Sequence, residues 1–431
     1  MTWLDIYHKK KTTAEEAVAV IQSGDTVFIP ISSGAPQTLI PALVARGHEL
    51  EDVKIIHLST LGPARYTDQE FAGHFRHIAL FIGENTREAV QQGRADYVPV
   101  FYHEVPRLFR EGIYTLDVAM IHVSPPDEHG FCSYGVAVDA TKPAAESAGT
   151  VIAEVNPNMP RTLGDSFIHV RDIDYIIPCD YELEEYPAAE YTETHARIAR
   201  HIVDLIEDGS TLQMGIGSIP EALLTFLEDK KDLGVHTEMF SDGMIPLIER
   251  GVVNCSKKTL HPGKIIATFL MGTHTLYDYV DNNPFVEFRP VHYVNDPAVI
   301  AQNNQMVAIN SALQVDFTGQ ICADSLGHTL YSGFGGQLDF IRGAAHSDGG
   351  KPIIALPATL DGGKKSRIVH ELYPGAGVVT TRADIHYVVT EYGVAALHGR
   401  TLRERVHALI NIAAPRFREE LLAKAREYKY I

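Results

Sequence analysis

The sequence predicts an α/β protein made of two tandem, homologous, open domains, each with a mostly parallel sheet. Short apolar runs alternate with helical segments of roughly ten residues, which is the pattern of parallel strands covered by helices on both faces. The order of segments in the first half of the chain recurs in the second half. The length of 431 residues also favours more than one domain.

The N-terminal elements establish the alternation. Thr13 is a suitable N-cap, and Glu15 and Glu16 follow it in the first turn of the first predicted helix. The predicted elements that follow one another are a helix, a strand, a helix and a strand, over residues 12–21, 26–29, 37–46 and 53–60. A loop of small residues separates the first strand from the second helix.

Matching segments recur in the same order along the two halves. The pairs are 24–27 with 208–212, 34–39 with 218–223, 57–59 with 236–238, 81–83 with 270–272, 98–103 with 289–294 and 172–177 with 384–389. No single match is convincing, but their collinear order predicts a duplication. The acidic stretch 182–190 is the predicted boundary, which gives domains 1–185 and 186–431.

The two copies differ where chemistry is expected. The second copy carries the carboxylate Glu238 at the place where the first copy has Ser59. Strand interiors disfavour Glu, and a buried charge is costly unless something uses it. The alternative is that Glu238 points to solvent from an ordinary alternating strand. The divergence favours a reactive carboxylate on the second domain, with the first domain as one wall of a ligand pocket in a cleft.

A glycine-rich loop precedes Glu238. Residues 213–217 leave a predicted strand and lead through Pro220 into a predicted helix over 221–227. Backbone amides at such a turn and at the start of a helix can bind an anion or an oxyanion. Glu238 and this loop together are stronger evidence for a functional site than the carboxylate alone.

Two further loops in the second half have a composition that permits ligand binding. Residues 331–340 include Gly335 and Gly336. These glycines either permit close approach of the backbone to a ligand or form a turn whose backbone conformation favours glycine. Residues 361–367 form a basic loop that includes Lys364. This loop is either a solvated hairpin tip or a clamp for a diphosphate or ribose phosphate.

Composition excludes several classes of function. The net charge of −18 argues against a nucleic-acid-binding surface, and no apolar run is long enough for a membrane helix. The N-terminus is polar and lacks a signal-peptide core, so a cytoplasmic location is expected. The four cysteines are far apart and the 21 histidines show no metal-binding spacing. We therefore expect reduced thiols and no metal.

Several of these segments resemble the acetyl-CoA hydrolase/transferase family. The segments are 213–220, 236–243 and 332–339, together with 101–106, 122–126 and 388–394. The resemblance covers nearly the whole chain and is strongest to the 4-hydroxybutyrate and butyryl-CoA:acetate CoA-transferases of that family.

The resemblance implies a tandem pair of NagB/RpiA-type open α/β domains and a catalytic glutamate at Glu238. Contacts with coenzyme A, the substrate and covalent intermediate, are implied for Gln213, Met214, Gly215, Ile216, Gly217, Asn310, Leu313, Gly335 and Gly336. The expected reaction moves coenzyme A from an acetyl-, butyryl- or succinyl-CoA donor to a short carboxylic acid through a glutamyl-CoA thioester, without a metal or ATP.

The identity of the acid depends on the predicted pocket residues Ile31, Ser32 and Ser59. Members similar to the 4-hydroxybutyrate enzyme carry a histidine where this chain has Ile31. An apolar side chain there weakens the preference for 4-hydroxybutyrate and makes itaconate, succinate-type acids and short unbranched acids such as butyrate candidates as well.

Two alternative functions remain at this point. Water that reaches the glutamyl thioester would make the same site an acyl-CoA hydrolase. Open α/β domains of this type also serve as sugar-phosphate isomerases and as ligand-sensing modules of regulators, although a sensor needs a partner-binding appendage that the acidic chain does not show. A homodimer is the usual expectation for such an enzyme.

Overall fold

The computed structural model describes residues 2–431, and the chain folds into two units. Unit 1 contains the chain up to Pro187 together with Ile266–Val294, and unit 2 contains Ala188–Ile265 together with Asn295–Ile431. Residues 266–294 thus belong to the first unit, although sequence reasoning assigned all of 186–431 to the second domain. The proposed boundary between residues 185 and 186 stays a prediction.

The strands are short and have two to six residues each. In chain order they are β1 Thr26–Phe28, β2 Val53–His57, β3 Phe75–Ala79, β4 Ala95–Tyr97, β5 Val118–Val123, β6 Phe131–Ser133, β7 Thr150–Val155, β8 Leu163–Gly164, β9 Phe167–His169, β10 Tyr175–Pro178, β11 Thr211–Met214, β12 Gly234–Val235, β13 Met239–Phe240, β14 Ile265–Ala267, β15 Phe269–Leu270, β16 Val286–Phe288, β17 Met306–Ser311, β18 Gln314–Asp316, β19 Ile321–Cys322, β20 Ser325–Leu326, β21 Thr329–Leu330, β22 Lys351–Ala355, β23 Thr359–Leu360, β24 Lys365–Ser366, β25 Ile368–Val369, β26 Tyr387–Thr390 and β27 Gly393–Ala396.

The helices range from single turns to thirteen residues. In chain order they are α1 Trp3–Lys10, α2 Ala14–Val18, α3 Leu39–Ala45, α4 Arg87–Gln91, α5 Val105–Arg110, α6 Thr141–Ser147, α7 Glu193–Val203, α8 Ser218–Leu224, α9 Ile245–Glu249, α10 His274–Val280, α11 Val291–Val294, α12 Pro297–Ile300, α13 Gln337–His346, α14 Leu402–Ile412 and α15 Pro415–Glu427.

Unit 1 is built on a seven-stranded sheet in the order β10-β7-β5-β1-β2-β3-β4. Every neighbouring pair in this sheet is parallel. Apolar side chains of α2 and α3 pack against β1 and β2, and these side chains form a core that includes Val18, Leu43, Val27 and Ile55. Parallel strands buried by helices confirm the predicted fold class for this half.

Unit 2 is built on a six-stranded sheet in the order β12-β11-β17-β22-β26-β27. Its pairs are parallel except for β26 and β27, which are antiparallel. The order β2-β1-β5-β7-β10 in unit 1 is repeated by β12-β11-β17-β22-β26 in unit 2. This shared order confirms that the chain contains two homologous open α/β domains, as the collinear sequence matches predicted.

The two sheets also share the position at which the strand order reverses. In unit 1 the reversal lies between β1 and β5, and in unit 2 it lies between β11 and β17. Ligands of open α/β sheets bind outside the carboxyl ends of the strands at such a reversal. The carboxyl ends of β11 and β17 are therefore the place in unit 2 where a binding site is expected.

Local sequence signals place several helix ends correctly. The Thr13 hydroxyl accepts a hydrogen bond from the Glu16 amide at 3.2 Å, so Thr13 is the N-cap of α2 as predicted. The Thr401 hydroxyl and the Glu404 carboxylate form a reciprocal capping box at α14. The helix predicted over residues 37–46 is shorter, Leu39–Ala45, and its start is fixed by a carboxylate from another strand, described below.

Within residues 2–431, no helix combines the length and the apolar character that a bilayer-spanning segment requires. The four cysteines are free thiols, and three of them are buried: Cys132, Cys255 and Cys322.

Buried histidines in unit 1 are expected to make stability depend on pH. Burial lowers the pKa of His77 to about 4 and that of His122 to about 3, whereas an unfolded histidine titrates near 6.5. The unfolded chain therefore binds more protons below pH 6.5, and the stability present above that pH is lost as the pH falls towards 4. We expect a loss on the order of 3 kcal/mol for each of these residues, measured by urea unfolding between pH 8 and pH 4.

The control for this prediction is His129, which is exposed on a loop. The variant His77→Gln should flatten the dependence of unfolding free energy on pH, and His129→Gln should leave it unchanged. Equal pH dependence in His77→Gln and the parent chain would contradict the assignment.

Candidate active site

Glu238 follows the shortest strand of the unit 2 sheet. β12 pairs with β11 over only two residues, Gly234 and Val235, and the chain then bends before β13. Glu238 lies in that bend and is half-buried, with buried residues on both sides. The prediction that a strand contains Glu238 is therefore wrong, because the pairing with β11 ends three residues earlier. A bend at the carboxyl end of a parallel strand directs a side chain to the edge where ligands bind.

The Glu238 carboxylate is held from two sides. The side-chain amide Nδ2 of Asn295 donates a hydrogen bond to Oε2 of Glu238 at 2.7 Å, and Asn295 is completely buried. Gly336 lies against the same oxygen, since a Cβ atom on Gly336 would come within 1.8 Å of Oε2 and 2.3 Å of Asn295 Nδ2. Glu238 does not extend into solvent from an alternating strand, because this oxygen has a fixed donor and a close backbone neighbour.

Thr237 connects the bend to the glycine-rich loop. Its hydroxyl is buried and contacts the carbonyl oxygen of Met214 at 3.1 Å and that of Met239 at 3.0 Å. Met214 is the last residue of β11, immediately before Gly215. The reactive carboxylate and the start of the glycine-rich loop are thus fixed to each other through one side chain.

The glycine-rich loop borders open space. A Cβ atom on Gly215 or on Gly217 would meet no other heavy atom within 4 Å. Gly217 has a φ of 111°, a conformation that favours glycine, and it is followed by α8 with Pro220 in the first turn. Ile216 between them is half-buried. The loop therefore leaves room for a ligand beside Gly215 and Gly217 at the carboxyl edge of the sheet.

Gln213 and Asn310 meet where the strand order reverses. Asn310 Nδ2 donates to Gln213 Oε1 at 3.1 Å, between the neighbouring strands β17 and β11. Leu313, predicted to contact coenzyme A, lies two residues after β17 and is half-buried. Gln213, Asn310 and Glu238 therefore lie along one edge of one sheet, and their contact with coenzyme A stays a prediction.

Gly335 and Gly336 form the turn that begins α13. Gly335 has a φ of 51°, and Gly336 is the buried N-cap residue of the helix. Gly336 is the point of direct contact with Glu238, so the second glycine-rich loop does approach the carboxylate. Their predicted contact with coenzyme A stays a prediction.

Lys364 lies on a separate hairpin of unit 2. It is exposed in the turn between β23 and β24, and Asp361 of the same turn pairs with Lys365 at 2.9 Å. The structure therefore shows the basic loop as a solvated hairpin tip, which is compatible with a phosphate clamp that acts only when a ligand is present.

The three predicted pocket residues of unit 1 are neighbours. The Ser32 amide donates to the Ser59 carbonyl at 2.7 Å, and Ile31 precedes Ser32 in the chain. Ile31 and Ser32 are buried, Ser59 is half-buried, and Ser32 has a φ of 56°. The structure brings these residues together within unit 1, and their contact with an acyl group stays a prediction.

Unit 1 also contains a group of metal-ligand types, His122, Glu154 and Cys179. The Glu154 carboxylate is already hydrogen-bonded, because Oε1 accepts from the amides of Thr38 at 2.7 Å and Leu39 at 2.6 Å. Its Oε2 accepts from the hydroxyl of Tyr181. These bonds cap the start of α3, so we assign Glu154 a structural role rather than that of a metal ligand.

Asn295 is the site residue that sequence reasoning missed. It follows directly after the recurring segment 289–294, so the polar residue at the end of that match was an available signal. The contact with Glu238 spans 57 residues of sequence. A fixed carboxylate beside a polar, glycine-lined sheet edge can act as a nucleophile toward an acyl carbonyl.

Comparison with known proteins assigns both halves of the chain. The acetyl-CoA hydrolase/transferase N-terminal domain matches residues 4–184, and the corresponding C-terminal domain matches residues 272–425.

The curated relatives match the chain along its whole length. A 4-hydroxybutyrate coenzyme A transferase of Clostridium kluyveri is 54% identical over 98% of both chains. A succinyl-CoA:acetate/propanoyl-CoA:succinate CoA transferase of Fasciola hepatica is 47% identical over 96% of this chain and 87% of its own. A butyryl-CoA:acetate CoA-transferase of Anaerostipes caccae is 39% identical over 99% and 98%. In contrast, an acetyl-CoA hydrolase of Neurospora crassa is 24% identical over 77% and 71%.

Solved structures give the same result for the fold. The 4-hydroxybutyrate CoA-transferase of Porphyromonas gingivalis is 40% identical with a TM-score of 0.87, and the alignment covers 99% of this chain and 100% of that one. RipA from Yersinia pestis is 37% identical with a TM-score of 0.94 and is covered completely, as is this chain.

Proposed function

Because this chain belongs to the acetyl-CoA hydrolase/transferase family, we propose that it transfers coenzyme A from an acyl-CoA to a short carboxylic acid, with Glu238 as the covalent carrier. The observation that carries this proposal is the carboxylate of Glu238, fixed by Asn295 and by Gly336 at the carboxyl edge of the unit 2 sheet. The identity to CoA transferases, which exceeds that to hydrolases, favours an acid rather than water as the acceptor.

The proposed reaction has two mirror-image halves. A Glu238 oxygen attacks the thioester carbonyl of the donor, the C–S bond breaks, and an acyl-glutamyl anhydride and the CoA thiolate result. The thiolate attacks the glutamyl carbonyl, which releases the donor acid and leaves a glutamyl-CoA thioester. The acceptor carboxylate then attacks this thioester, and the same steps run in reverse. Each step exchanges one acyl bond for another, so the thioester energy is retained.

Asn295 positions the nucleophile in this scheme. A carboxylate is a weak nucleophile, so the rate depends on a fixed geometry of the reacting oxygen. Asn295 binds Oε2 of Glu238 and thereby orients Oε1, which we propose as the attacking oxygen. Because Gly336 has no side chain, this geometry is compatible with a tightly held Oε2.

Backbone amides of Gly215, Gly217 and Gly336 are the proposed donors to the oxyanions of the tetrahedral intermediates. The open space around Gly215 and Gly217 supports this role. One well-placed donor of this kind is worth roughly 3–4 kcal/mol of transition-state stabilisation. The nucleotide part of coenzyme A does not react and offers binding energy that can be used in the chemical step.

The experiment that tests the proposed function is the capture of the intermediate. Incubation with an acyl-CoA and no acceptor, followed by hydroxylamine or borohydride, should change the mass of the peptide that contains Glu238. Initial rates should also follow ping-pong kinetics. Sequential kinetics together with an unmodified Glu238 peptide would count against a covalent glutamyl carrier.

The variant Asn295→Ala is expected to lower kcat by about 10- to 100-fold, because the hydrogen bond that fixes Oε2 is lost. KM for acyl-CoA should change little, since Asn295 contacts the nucleophile rather than the nucleotide. The matched control is Asn303→Ala, because Asn303 is also completely buried in unit 2 and its amide contacts Ile300 instead. If both variants lose stability but keep kcat, Asn295 has only a structural role.

The second candidate function is hydrolysis at the same glutamate, which the weaker resemblance to acetyl-CoA hydrolases supports. Release of coenzyme A, measured with and without an acceptor acid, separates the two activities. A transferase consumes acyl-CoA at an appreciable rate only when the acid is present.

The proposal also covers the acid that is used, the cellular location and the oligomeric state. Ile31, Ser32 and Ser59 are the residues proposed to select among 4-hydroxybutyrate, butyrate, itaconate and succinate-type acids. A panel of donors and acceptors identifies the pair. The cytoplasmic location and the homodimer expected from the sequence are part of the same proposal.

A further inference from the structure

We propose that a cavity of unit 1, lined by the consecutive lysines Lys9, Lys10 and Lys11, binds a small organic polyphosphate such as a nucleoside triphosphate. The cavity has a volume of about 720 Å³, which lies in the usual range of small-molecule sites. The inference goes beyond the proposed function, because it concerns a second ligand at a different edge of the sheet.

The cavity lies at the amino ends of strands of the unit 1 sheet. Thr150 is the first residue of β7 and Tyr175 is the first residue of β10, and both residues line the cavity. The predicted pocket residues Ser32 and Ser59 instead follow the carboxyl ends of β1 and β2. Because all neighbouring strands of this sheet are parallel, the cavity and those pocket residues lie at opposite edges of it.

Cations dominate the lining of the cavity. The three lysines and Arg171 contribute four positive charges, whereas Asp174 contributes the one carboxylate of the lining. One oxygen of Asp174 is already used inside the protein, since it accepts a hydrogen bond from the Val151 amide at 2.8 Å. In a chain of net charge −18, such a local excess of positive charge indicates an anionic ligand.

Two of the three lysines are available to a ligand. Lys10 holds the end of α1 in place, since its Nζ donates to the carbonyl of Arg171 at 2.7 Å and to that of Val170 at 3.3 Å. Lys9 and Lys11 are exposed, and over residues 2–431 neither of them forms an ion pair within 4.0 Å. Arg171 lies 3.7 Å from Asp172 in an exposed pair, which costs little to break.

The dipole of α1 does not account for all of these cations. Cations in the last turn of a helix are favourable in any case, and Lys9 and Lys10 occupy the last turn of α1. Lys11 and Arg171 lie outside this helix and still line the same cavity. Their positions favour a role toward a ligand rather than toward the helix.

The duplicated domain provides an internal comparison. Unit 2 has a cavity of about 460 Å³ at the amino ends of its own strands, where Gln305 directly precedes β17. The charged residues of its lining are Asp208, Asp232, Asp348 and Lys257. The fold itself therefore does not require a basic lining at this edge of the sheet.

The chemistry of the lining favours a chain of phosphates. Lysine binds phosphate as a point charge, and arginine binds it through paired N–H donors. Lys9, Lys11 and Arg171 share one cavity, so several phosphate groups in one molecule can contact all three. Ile6 and Tyr175 also line the cavity and are half-buried, which offers apolar surface to a nucleoside.

The test is calorimetric titration of the full chain with ATP, in the presence of saturating coenzyme A so that the proposed substrate site is occupied. ATP should bind, and its Kd should rise about 10-fold or more in Lys9→Glu/Lys11→Glu. Lys257→Glu, at an exposed lysine of the unit 2 cavity, is the matched control and should keep the parent Kd. The unliganded double variant should unfold at the parent temperature, since both lysines are exposed.

Three outcomes overturn the site. ATP does not bind when coenzyme A is present, the double variant keeps the parent Kd, or Lys257→Glu weakens ATP binding as much as the double variant does. Tripolyphosphate, which lacks a nucleoside, should bind more weakly than ATP. An equal Kd for the two compounds would contradict the assignment of an organic ligand.

Discussion

Replacement of Glu238 by glutamine is expected to abolish CoA transfer, with kcat lowered by at least about 1,000-fold. Glutamine keeps the shape of the side chain and an oxygen that can accept the hydrogen bond from Asn295. It cannot form the acyl anhydride or return to a carboxylate, so the covalent route is closed. Coenzyme A binding should change little, because the loops that are proposed to hold it stay intact.

The measurement is the initial rate of acyl exchange, combined with calorimetric binding of coenzyme A. Glu228→Gln is the control, because Glu228 follows α8 and pairs with Arg250 at the surface of the same unit. Residual activity above a few per cent in Glu238→Gln would move the nucleophile to another residue.

Gly336→Ala is expected to lower kcat by about 100-fold, although it adds only one methyl group. The backbone of Gly336 has a φ of −94°, which alanine adopts without strain. The added carbon would nevertheless lie 1.8 Å from Glu238 Oε2, so the carboxylate must move. Displacement of a nucleophile by about 1 Å costs on the order of 100-fold in rate.

The matched control for Gly336→Ala is Gly343→Ala in the same helix. A Cβ atom on Gly343 would come within 2.4 Å of Ile300, a residue with no assigned role in the site. Both variants should unfold at lower urea concentration, since overpacking typically costs about 1–3 kcal/mol. Only Gly336→Ala should lose kcat. Equal kcat in the two variants would mean that Gly336 does not define the position of the carboxylate.

The fold was predictable because its signals are local and repeated. The cap at Thr13 is set by residues within one helical turn, and each strand or helix is indicated by its own short segment. The duplication presents the strand–helix pattern twice. The ends of elements were less predictable. The strand expected to contain Glu238 stops at Val235 because its pairing with β11 stops there. Pairing between distant segments decides such ends, and a single sequence does not display it.

The site was predictable only in part for the same reason. Glu238 was identified from the contrast with Ser59 and from the glycine-rich loop before it. Asn295 contacts Glu238 across 57 residues, and its position at the end of the recurring segment 289–294 does not by itself reveal that contact. The requirement for glycine at position 336 is likewise visible only when Oε2 of Glu238 is seen against it.

The Glu154 bonds to the amides of Thr38 and Leu39 have an evolutionary consequence. Duplication of a domain at first yields two equivalent loops, each with free backbone amides at the start of a helix. In unit 1 the amides at the start of α3 are occupied by a carboxylate from the protein itself, whereas α8 in unit 2 begins at Gly217 without a side-chain cap. The amides of one copy are thus used inside the protein, and those of its duplicate are not capped by a side chain.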